Sequence, residues 1–334
     1  MQCIDPAFVR SMMRRNVALA ICLVGLFISS LNASSQSYPS KSIRVIVPAA
    51  PGGGTDHITR LLGQKYQEQF GQTWIVENRA GANGIIGTEA ISKAAPDGYS
   101  LVMVYVSHAV NQTMYKKVPY DALRDFQPVT QVSTQPLVMV VHPSLPVGNV
   151  KQLVALAKAR PGEVNYGSSG SGTGPHLAME LLRTLSNVKI NHIPYKGGGP
   201  LMTSLISGEV SLAYSTPPPA IPQIKAGRIK AIAVSGEKRM VQLPDVPTVA
   251  ESGFPGYEAS TWYGLVAPAG TPSAIVIQLS EQVAKILSQK EVQESFVKQG
   301  VIPVGSKPQE FSDYIRSEIS KWGNVVKVSG AQVD

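Results

Sequence analysis

Short blocks of apolar and polar residues follow one another along the chain in a pattern that predicts strands followed by helices. Residues 43–47 form a β-branched run, and helical spacing of apolar residues follows it at Ile58, Leu61, Leu62 and Tyr66. Further strands are predicted at residues 74–76 and 101–106, with a helix over residues 85–94 between them. Repeated strand–helix units of this kind predict parallel sheets covered by helices.

A second series of strand–helix units begins after residue 129. Its predicted strands are residues 137–141, 164–166, 189–193, 210–214 and 229–234, and its helices are 150–159, a helix opened by Pro175, 200–208 and 221–226. A returning strand follows at residues 262–267. Two amphipathic helices close the chain, at 273–299 with a break near 289–290 and at 308–326.

The two series predict an α/β protein of two lobes, with mainly parallel sheets and a ligand cleft between the lobes. We assign residues 38–137 and 262–334 to the first lobe and residues 138–261 to the second. The chain would cross between the lobes near residues 126–138 and return near residues 257–268.

The N-terminal segment has the pattern of a secretory signal peptide. Three arginines precede an apolar run at residues 17–28, and small polar residues follow it. The run is shorter than the roughly 20 residues that span a membrane. The alternatives are a membrane anchor or a buried helix. We predict a signal peptide over residues 1–33 and a secreted protein. Its removal takes away Cys3 and Cys22, the two cysteines of the chain, and with them any disulfide or cysteine-ligated metal.

The formal net charge of +8 is spread along the predicted helices instead of being gathered in a Lys/Arg run. A nucleic-acid-binding protein usually presents a basic patch or stripe. We therefore expect no nucleic-acid partner.

Three glycine-rich loops each follow a predicted strand and precede a predicted helix. They are residues 48–56 (PAAPGGGTD), 166–173 (YGSSGSGT) and 195–199 (YKGGG). Ligands of open α/β sheets bind at the carboxyl ends of the strands, where such loops lie. The first turn of a helix has unpaired N–H groups and partial positive charge, so these loops can hold a carboxylate or phosphate without Arg or Lys. The alternative is ordinary turns in which Thr55, Asp56 or Thr173 caps a helix.

Candidate ligand-binding residues lie on these three loops, in the helix turn beside the second loop, and after two further strands. They are Ala49, Pro51, Gly52, Gly53, Thr55, Asp56, Ser107, His108, Ser168, Ser169, Gly170, Thr173, His176, Tyr195, Ser215 and Thr216. For His176, a ligand contact and a helix-capping or structural role both remain open.

Motifs of common enzyme classes do not match the chain. The glycines of residues 170–174 do not have the spacing of the dinucleotide fingerprint, and the G-x-x-x-x-G-K-[ST] and G-x-S-x-G motifs do not occur. The five histidines form no metal-binding pair at helical spacing. We therefore expect no cofactor, no metal and no enzymatic activity. One catalytic alternative stays open, in which Ser169 is a nucleophile and His176 its base.

Several motifs run in a fixed order across the chain from Tyr38-Pro39 onward. They are residues 43–56, 76–84 (VENRAGANG), 96–99 (PDGY), 166–174 with His176, 194–197 (PYKG), 224–228 (IKAGR) and 243–248 (LPDVPT). In this order they resemble the solute receptors of tripartite tricarboxylate transporters, also called Bug-type periplasmic receptors.

The resemblance implies a type II periplasmic-binding fold, in which two hinged lobes close on a ligand. It implies a periplasmic protein that captures a small carboxylate, such as an organic acid, an amino acid or a related amide, for uptake through membrane transporter subunits. The carboxylate would be held by residues 49–56 and by Ser168, Ser169, Gly170 and Thr173. A sensor kinase is the alternative partner, and we expect a monomer. Residues 210–216 depart from the family pattern, so the resemblance does not identify the ligand.

Overall fold

The computed structural model describes residues 38–331. The predicted signal peptide at residues 1–33 lies outside this range. All helices and strands below belong to a compact unit that begins at Lys41. Within the described range, no helix has both the length and the apolar character that crossing a membrane requires.

The first lobe is built on a six-stranded sheet. Its strands are β1 (Ile43–Val47), β2 (Trp74–Asn78), β3 (Ser100–Tyr105), β4 (Phe126–Pro136), β10 (Ser260–Pro268) and β11 (Ile302–Pro303), in the order β11-β4-β10-β3-β1-β2. Its helices are α1 (Gly54–Phe70), α2 (Ile85–Ser92), α3 (Ser107–Met114), α8 (Ser273–Leu287), α9 (Lys290–Lys298) and α10 (Pro308–Ser329).

The second lobe is built on a five-stranded sheet. Its strands are β5 (Val138–Val141), β6 (Asn165–Ser168), β7 (Asn191–Pro194), β8 (Leu212–Ser215) and β9 (Lys230–Val234), in the order β7-β6-β8-β5-β9. Its helices are α4 (Val150–Ala159), α5 (Gly174–Ser186), α6 (Gly198–Ser207) and α7 (Pro217–Lys225).

The predicted α/β class with two lobes is confirmed, but the sheets are mixed instead of mainly parallel. β1 pairs in parallel with β2 and β3, and β6 pairs in parallel with β7 and β8. Each antiparallel pair includes β4, β5 or β10, the strands that carry the chain between the lobes. β5 enters the second lobe from the edge where β6 and β8 end, and β10 enters the first lobe from the edge where β1 and β3 end. Both strands are therefore antiparallel to their neighbours in the sheet.

One apolar core connects the two lobes. Trp262 on β10 packs edge-on against Phe311 and Tyr314 of α10, with ring centroids 5.7 Å apart in both pairs. α10 in turn packs against α3 of the first lobe and α5 of the second. This arrangement places the beginning of α5 beside the strand that links the lobes.

Candidate functional site

The structure places the predicted loops at the carboxyl ends of neighbouring parallel strands. The loops after β1 and β3 leave the first sheet at one edge, because these strands are parallel neighbours. The loops after β6, β7 and β8 leave the second sheet side by side for the same reason. The third glycine-rich loop is also bonded to the second, since Tyr195 N–H donates to Ser168 O at 2.9 Å and Gly197 N–H donates to Ser169 O at 3.1 Å.

The first residues of α1 and α5 lie beside two side chains on one face of β10. A Cβ atom added to Gly54 would lie 2.5 Å from Tyr263 Oη, and one added to Gly174 would lie 3.1 Å from Thr261 Cβ. Thr261 and Tyr263 are two residues apart on one strand, so they point to the same face, about 7 Å from each other. The glycines therefore allow the two helix N-termini, one from each lobe, to approach the same short stretch of the linking strand. Sequence reasoning missed Thr261 and Tyr263.

The helices that follow the glycine-rich loops begin without a side-chain cap. Gly53 precedes α1, Thr173 precedes α5 and Gly197 precedes α6, and none makes a side-chain capping hydrogen bond. By contrast, Asn149 Oδ1 accepts from Gln152 N–H at 2.9 Å and caps α4. N–H groups in the first turn of α1, α5 and α6 are thus left as donors for an anion.

The Thr173 hydroxyl bonds within its own loop. Thr173 Oγ1 donates to Gly170 O at 2.7 Å and accepts from Ser169 Oγ at 3.1 Å. Thr173 therefore stands at the N-cap position but does not cap α5 through its side chain. Its hydroxyl instead shapes the turn that leads into the helix.

Asp56 holds the first glycine-rich loop together. Its Oδ2 accepts from Gly52 N–H and its Oδ1 accepts from Arg60 Nε, both at 2.9 Å. Burial alone would raise the pKa of this carboxyl, but hydrogen bonds from Gly52 and Asn78 together with the Arg60 charge lower it. Both carboxylate oxygens are occupied, which gives Asp56 a supporting role beside the exposed Pro51, Gly52 and Gly53.

His108 lies in the core of the first lobe on α3, a helix that the sequence pattern did not predict. Its Nε2 bonds to Ala122 O at 3.0 Å, and its ring packs between Tyr120 and Phe126. Burial lowers the pKa of His108 to about 4. His108 is therefore a core residue and not part of the proposed site. Its neighbour Ser107 is buried as the first residue of α3.

Two stacked histidines support the second glycine-rich loop from the interior of the lobe. His176 Nδ1 accepts from Gly172 N–H at 3.0 Å, and His192 Nε2 lies 2.6 Å from Ser168 Oγ. The two imidazole rings stack with centroids 4.1 Å apart. Burial lowers the pKa of His176 to about 4 and that of His192 to about 3. Sequence reasoning missed His192, which reaches the loop from the neighbouring strand β7.

The remaining predicted residues lie at the ends of β1, β7 and β8 or just after them. Ser215 is buried at the end of β8, and Thr216 precedes α7 without capping it through its side chain. Among the described residues, the buried Tyr195 hydroxyl has no hydrogen-bond partner. Ala49 O accepts from Asn78 Nδ2 at 3.2 Å. These groups extend the set of neutral donors and acceptors beyond the helix N-termini.

Residues 58–331 match a family model described as the tripartite tricarboxylate transporter family receptor. The chain belongs to this family. BugT of Bordetella pertussis is 37% identical over 324 residues, which cover 95% of this chain and 99% of BugT. The resemblance drawn from the motifs is confirmed.

Solved structures agree in fold with this receptor. Rpa4515 of R. palustris with adipate has a TM-score of 0.84 at 36% identity, over 89% of this chain and 100% of that one. MatC from Rhodopseudomonas palustris with bound malate has a TM-score of 0.80 at 29% identity, over 86% of this chain and 100% of that one. Family and fold are thus those of periplasmic solute-binding receptors and not those of enzymes.

The hydrogen bonds of the receptor do not assemble the serine–histidine pair that a hydrolase would need at Ser169. Ser169 Oγ donates to Thr173, while His176 Nδ1 is taken by Gly172 N–H. Ser168 does lie beside His192, but it is 0% exposed and its Oγ also accepts from Gly170 N–H. These contacts hold the loop in shape.

Proposed function

We propose that this receptor captures a small carboxylate between its lobes in the periplasm and delivers it to the membrane subunits of a tripartite tricarboxylate-type transporter. The observation that carries the proposal is the approach of α1 and α5, one from each lobe, to side chains on one face of β10. Each helix begins there with a glycine and lacks a side-chain cap. A carboxylate at either N-terminus would accept hydrogen bonds from backbone N–H groups and gain from the helix dipole.

A dicarboxylate suits two helix N-termini better than a monocarboxylate does. One carboxylate would bind the N-terminus of α1 in the first lobe, and the other would bind that of α5 in the second. A ligand of this kind makes both sets of bonds only when the lobes are closed, so its differential affinity favours closure. The relatives support this choice, because adipate and malate are both dicarboxylates.

Hydroxyl groups and backbone amides would provide the remaining contacts. On the first lobe we propose residues 49–53 with Thr55, and on the second lobe Ser169, Gly170 and Thr173. These hydroxyl and amide groups are neutral. The bound carboxylate therefore stays ionised, and the dipoles of these groups compensate its negative charge. Asp56, His176 and His192 would contribute indirectly, because their hydrogen bonds hold the two loops in shape.

The decisive experiment is a binding measurement on protein that has been unfolded and refolded to remove any carried-over ligand. Malate and adipate are titrated by calorimetry and in thermal unfolding, each beside its dimethyl ester. We expect a free acid to stabilise the folded state, by about 2.7 kcal/mol at roughly 100 times its Kd. The esters should not do so, because they lack the charge that the helix N-termini bind. Equal binding of acid and ester would contradict the proposal, as would no response to any dicarboxylate in a wider panel.

A further inference from the structure

A cavity of about 580 Å³ opens at the hinge between the lobes. It is lined by β4, by residues 236–242 after β9, by the beginning of β10, and by residues 297–304 with α10. None of the residues predicted for carboxylate binding lines it. Its volume lies within the roughly 300–1,000 Å³ of small-molecule sites. The cavity is therefore large enough for a ligand of its own.

Apolar side chains surround the mouth of this hinge cavity. Val241 is 82% exposed, Ile302 53%, Val297 47% and Val304 41%. Met240 and Val301 continue the apolar wall inward and are themselves buried. A ligand with an apolar chain would cover these exposed groups. Each methylene that it buries strengthens binding by about fourfold.

The inner end of the cavity carries more negative than positive charge. Glu318 Oε2 accepts from Trp262 Nε1 at 2.8 Å and from Trp322 Nε1 at 2.7 Å. Glu318 Oε1 lies 3.9 Å from Lys321 Nζ, beyond hydrogen-bonding distance. Lys321 donates instead to Glu258 Oε2, so two carboxylates share one ammonium group. Burial raises the pKa of Glu318 even though Lys321 and both indoles favour its charged form.

Charges at the mouth balance one another and do not offset this excess. Glu237 and Lys238 are adjacent and exposed. Arg239 Nε donates to Glu251 Oε2 at 2.9 Å. The excess negative charge at the inner end of the cavity, beside Glu318, therefore favours a cation over an anion or a neutral molecule.

Both lobes contribute to the cavity. The side chain of Gln242, from the second lobe, donates to Val297 O of the first. A Cβ atom added to Gly300 of the first lobe would lie 2.6 Å from Met240 Cε of the second. An occupant would thus contact both lobes at once.

We propose that the hinge cavity binds a small amphipathic organic cation, such as an alkylammonium ion. Its ammonium group donates to Glu318 Oε1, and its chain lies against Val241, Val297 and Ile302. In this structure the lobes touch where Gly172 of the second lies against Asn83 and Met114 of the first. An occupant that bridges the lobes stabilises this arrangement, so its binding is coupled to closure and raises the affinity of the receptor for its carboxylate. The coupling rests on the proposed function, whereas binding of the cation does not.

Tryptophan fluorescence provides a direct test, because two of the three tryptophans donate to Glu318. The full mature protein is titrated with n-hexylammonium chloride, and separately with 1-hexanol, without any carboxylate present. We expect a saturable response to hexylammonium and at least about tenfold weaker binding of hexanol, since a charged hydrogen bond is lost. Absence of a saturable response, or equal affinity for the alcohol, would overturn the proposal.

Three variants locate the site. Glu318→Gln keeps an acceptor for the indoles and should weaken hexylammonium binding at least about tenfold. Val241→Arg places a positive charge on an exposed position at the mouth and should weaken it as well, with little risk to folding. Val328→Arg, at a position 71% exposed on α10 outside the cavity lining, is the matched control and should bind like the wild type. If Val241→Arg and Val328→Arg bind equally well, the cation does not occupy this cavity.

A second titration, in the presence of saturating malate or adipate, tests the coupling alone. We expect hexylammonium to bind more tightly when the carboxylate is bound. Unchanged affinity would refute the coupling and leave the cation site standing. If neither malate nor adipate binds, the second titration uses the dicarboxylate that the wider panel identifies. Failure of every dicarboxylate in that panel would refute the proposed function and leave the first titration valid.

Discussion

Acidification is expected to destabilise the receptor, because His176 supports the second glycine-rich loop in its neutral form. The ring accepts a hydrogen bond from Gly172 N–H through Nδ1, and a protonated imidazole has no acceptor to offer. Glu180 Oε1 lies 3.8 Å from His176 Nε2, but this carboxylate already accepts from Arg183 and Tyr166. Replacing His176 with Asn keeps an acceptor near the Nδ1 position and removes the titration.

The size of the effect follows from the lowered pKa. Burial, with a smaller contribution from the Arg183 charge, lowers the pKa of His176 from 6.5 to about 4. The unfolded chain therefore takes up this proton at a higher pH than the folded chain. The stabilisation is complete above about pH 6.5, is lost as the pH falls toward 4, and changes no further below that. At about 1.4 kcal/mol for each pKa unit, the loss is about 3 kcal/mol in all and about 2 kcal/mol by pH 5.

The assay is urea unfolding of the wild type and of His176→Asn at several values between about pH 7.5 and pH 5. The wild type should lose about 2 kcal/mol more than the variant over this interval, because only the wild type carries the His176 imidazole. His142→Asn is the matched control, because it removes an imidazole that bonds to Ser144 near the surface and leaves the contacts of the second glycine-rich loop in place. Parallel curves for the wild type and His176→Asn would refute the reasoning.

Two further predictions concern the second glycine-rich loop. Gly172→Ala adds a Cβ atom 2.8 Å from Met114 Sδ in the other lobe and strains a residue at φ +77°, so dicarboxylate affinity measured by calorimetry should fall about tenfold. Gly227→Ala is the control, because Gly227 has a similar φ of +69° and nothing within 4 Å of an added Cβ atom. This variant should lose only about 1 kcal/mol of stability and no affinity. Thr173→Val removes the hydroxyl that donates to Gly170 O. We expect several-fold weaker carboxylate binding and a loss of about 1 kcal/mol in urea unfolding, and unchanged affinity would exclude this hydroxyl from the site.

Much of the fold was predictable from local patterns. The apolar run at residues 101–104 is a fully buried stretch of β3, and the closing helix breaks between Leu287 and Lys290 as the pattern near residues 289–290 predicts. α1 ends at Gly71, which takes the left-handed conformation at φ 73°. These features depend on residues close together in the chain, so the sequence is enough to locate them.

Elements that break the usual patterns were not predictable in the same way. α3 buries Ser107, His108 and Asn111 as well as apolar residues, so its burial leaves no clear apolar period in the sequence. The direction of β5 and β10 depends on which edge of each sheet the chain enters, and that edge is set by the packing of the lobes. A locally apolar strand has the same composition whichever way it runs.

The sequence alone determined the order of strands and helices, the glycines that open α1, α5 and α6, and the family to which the receptor belongs. Only the tertiary structure decided that α1 and α5 begin at the same face of β10, that His192 stacks on His176, and that a cavity opens beside Glu318. These contacts join residues that are far apart in the chain. They depend on strand order, register and lobe packing, which arise from the summed burial of many side chains and leave no mark in any short stretch of sequence.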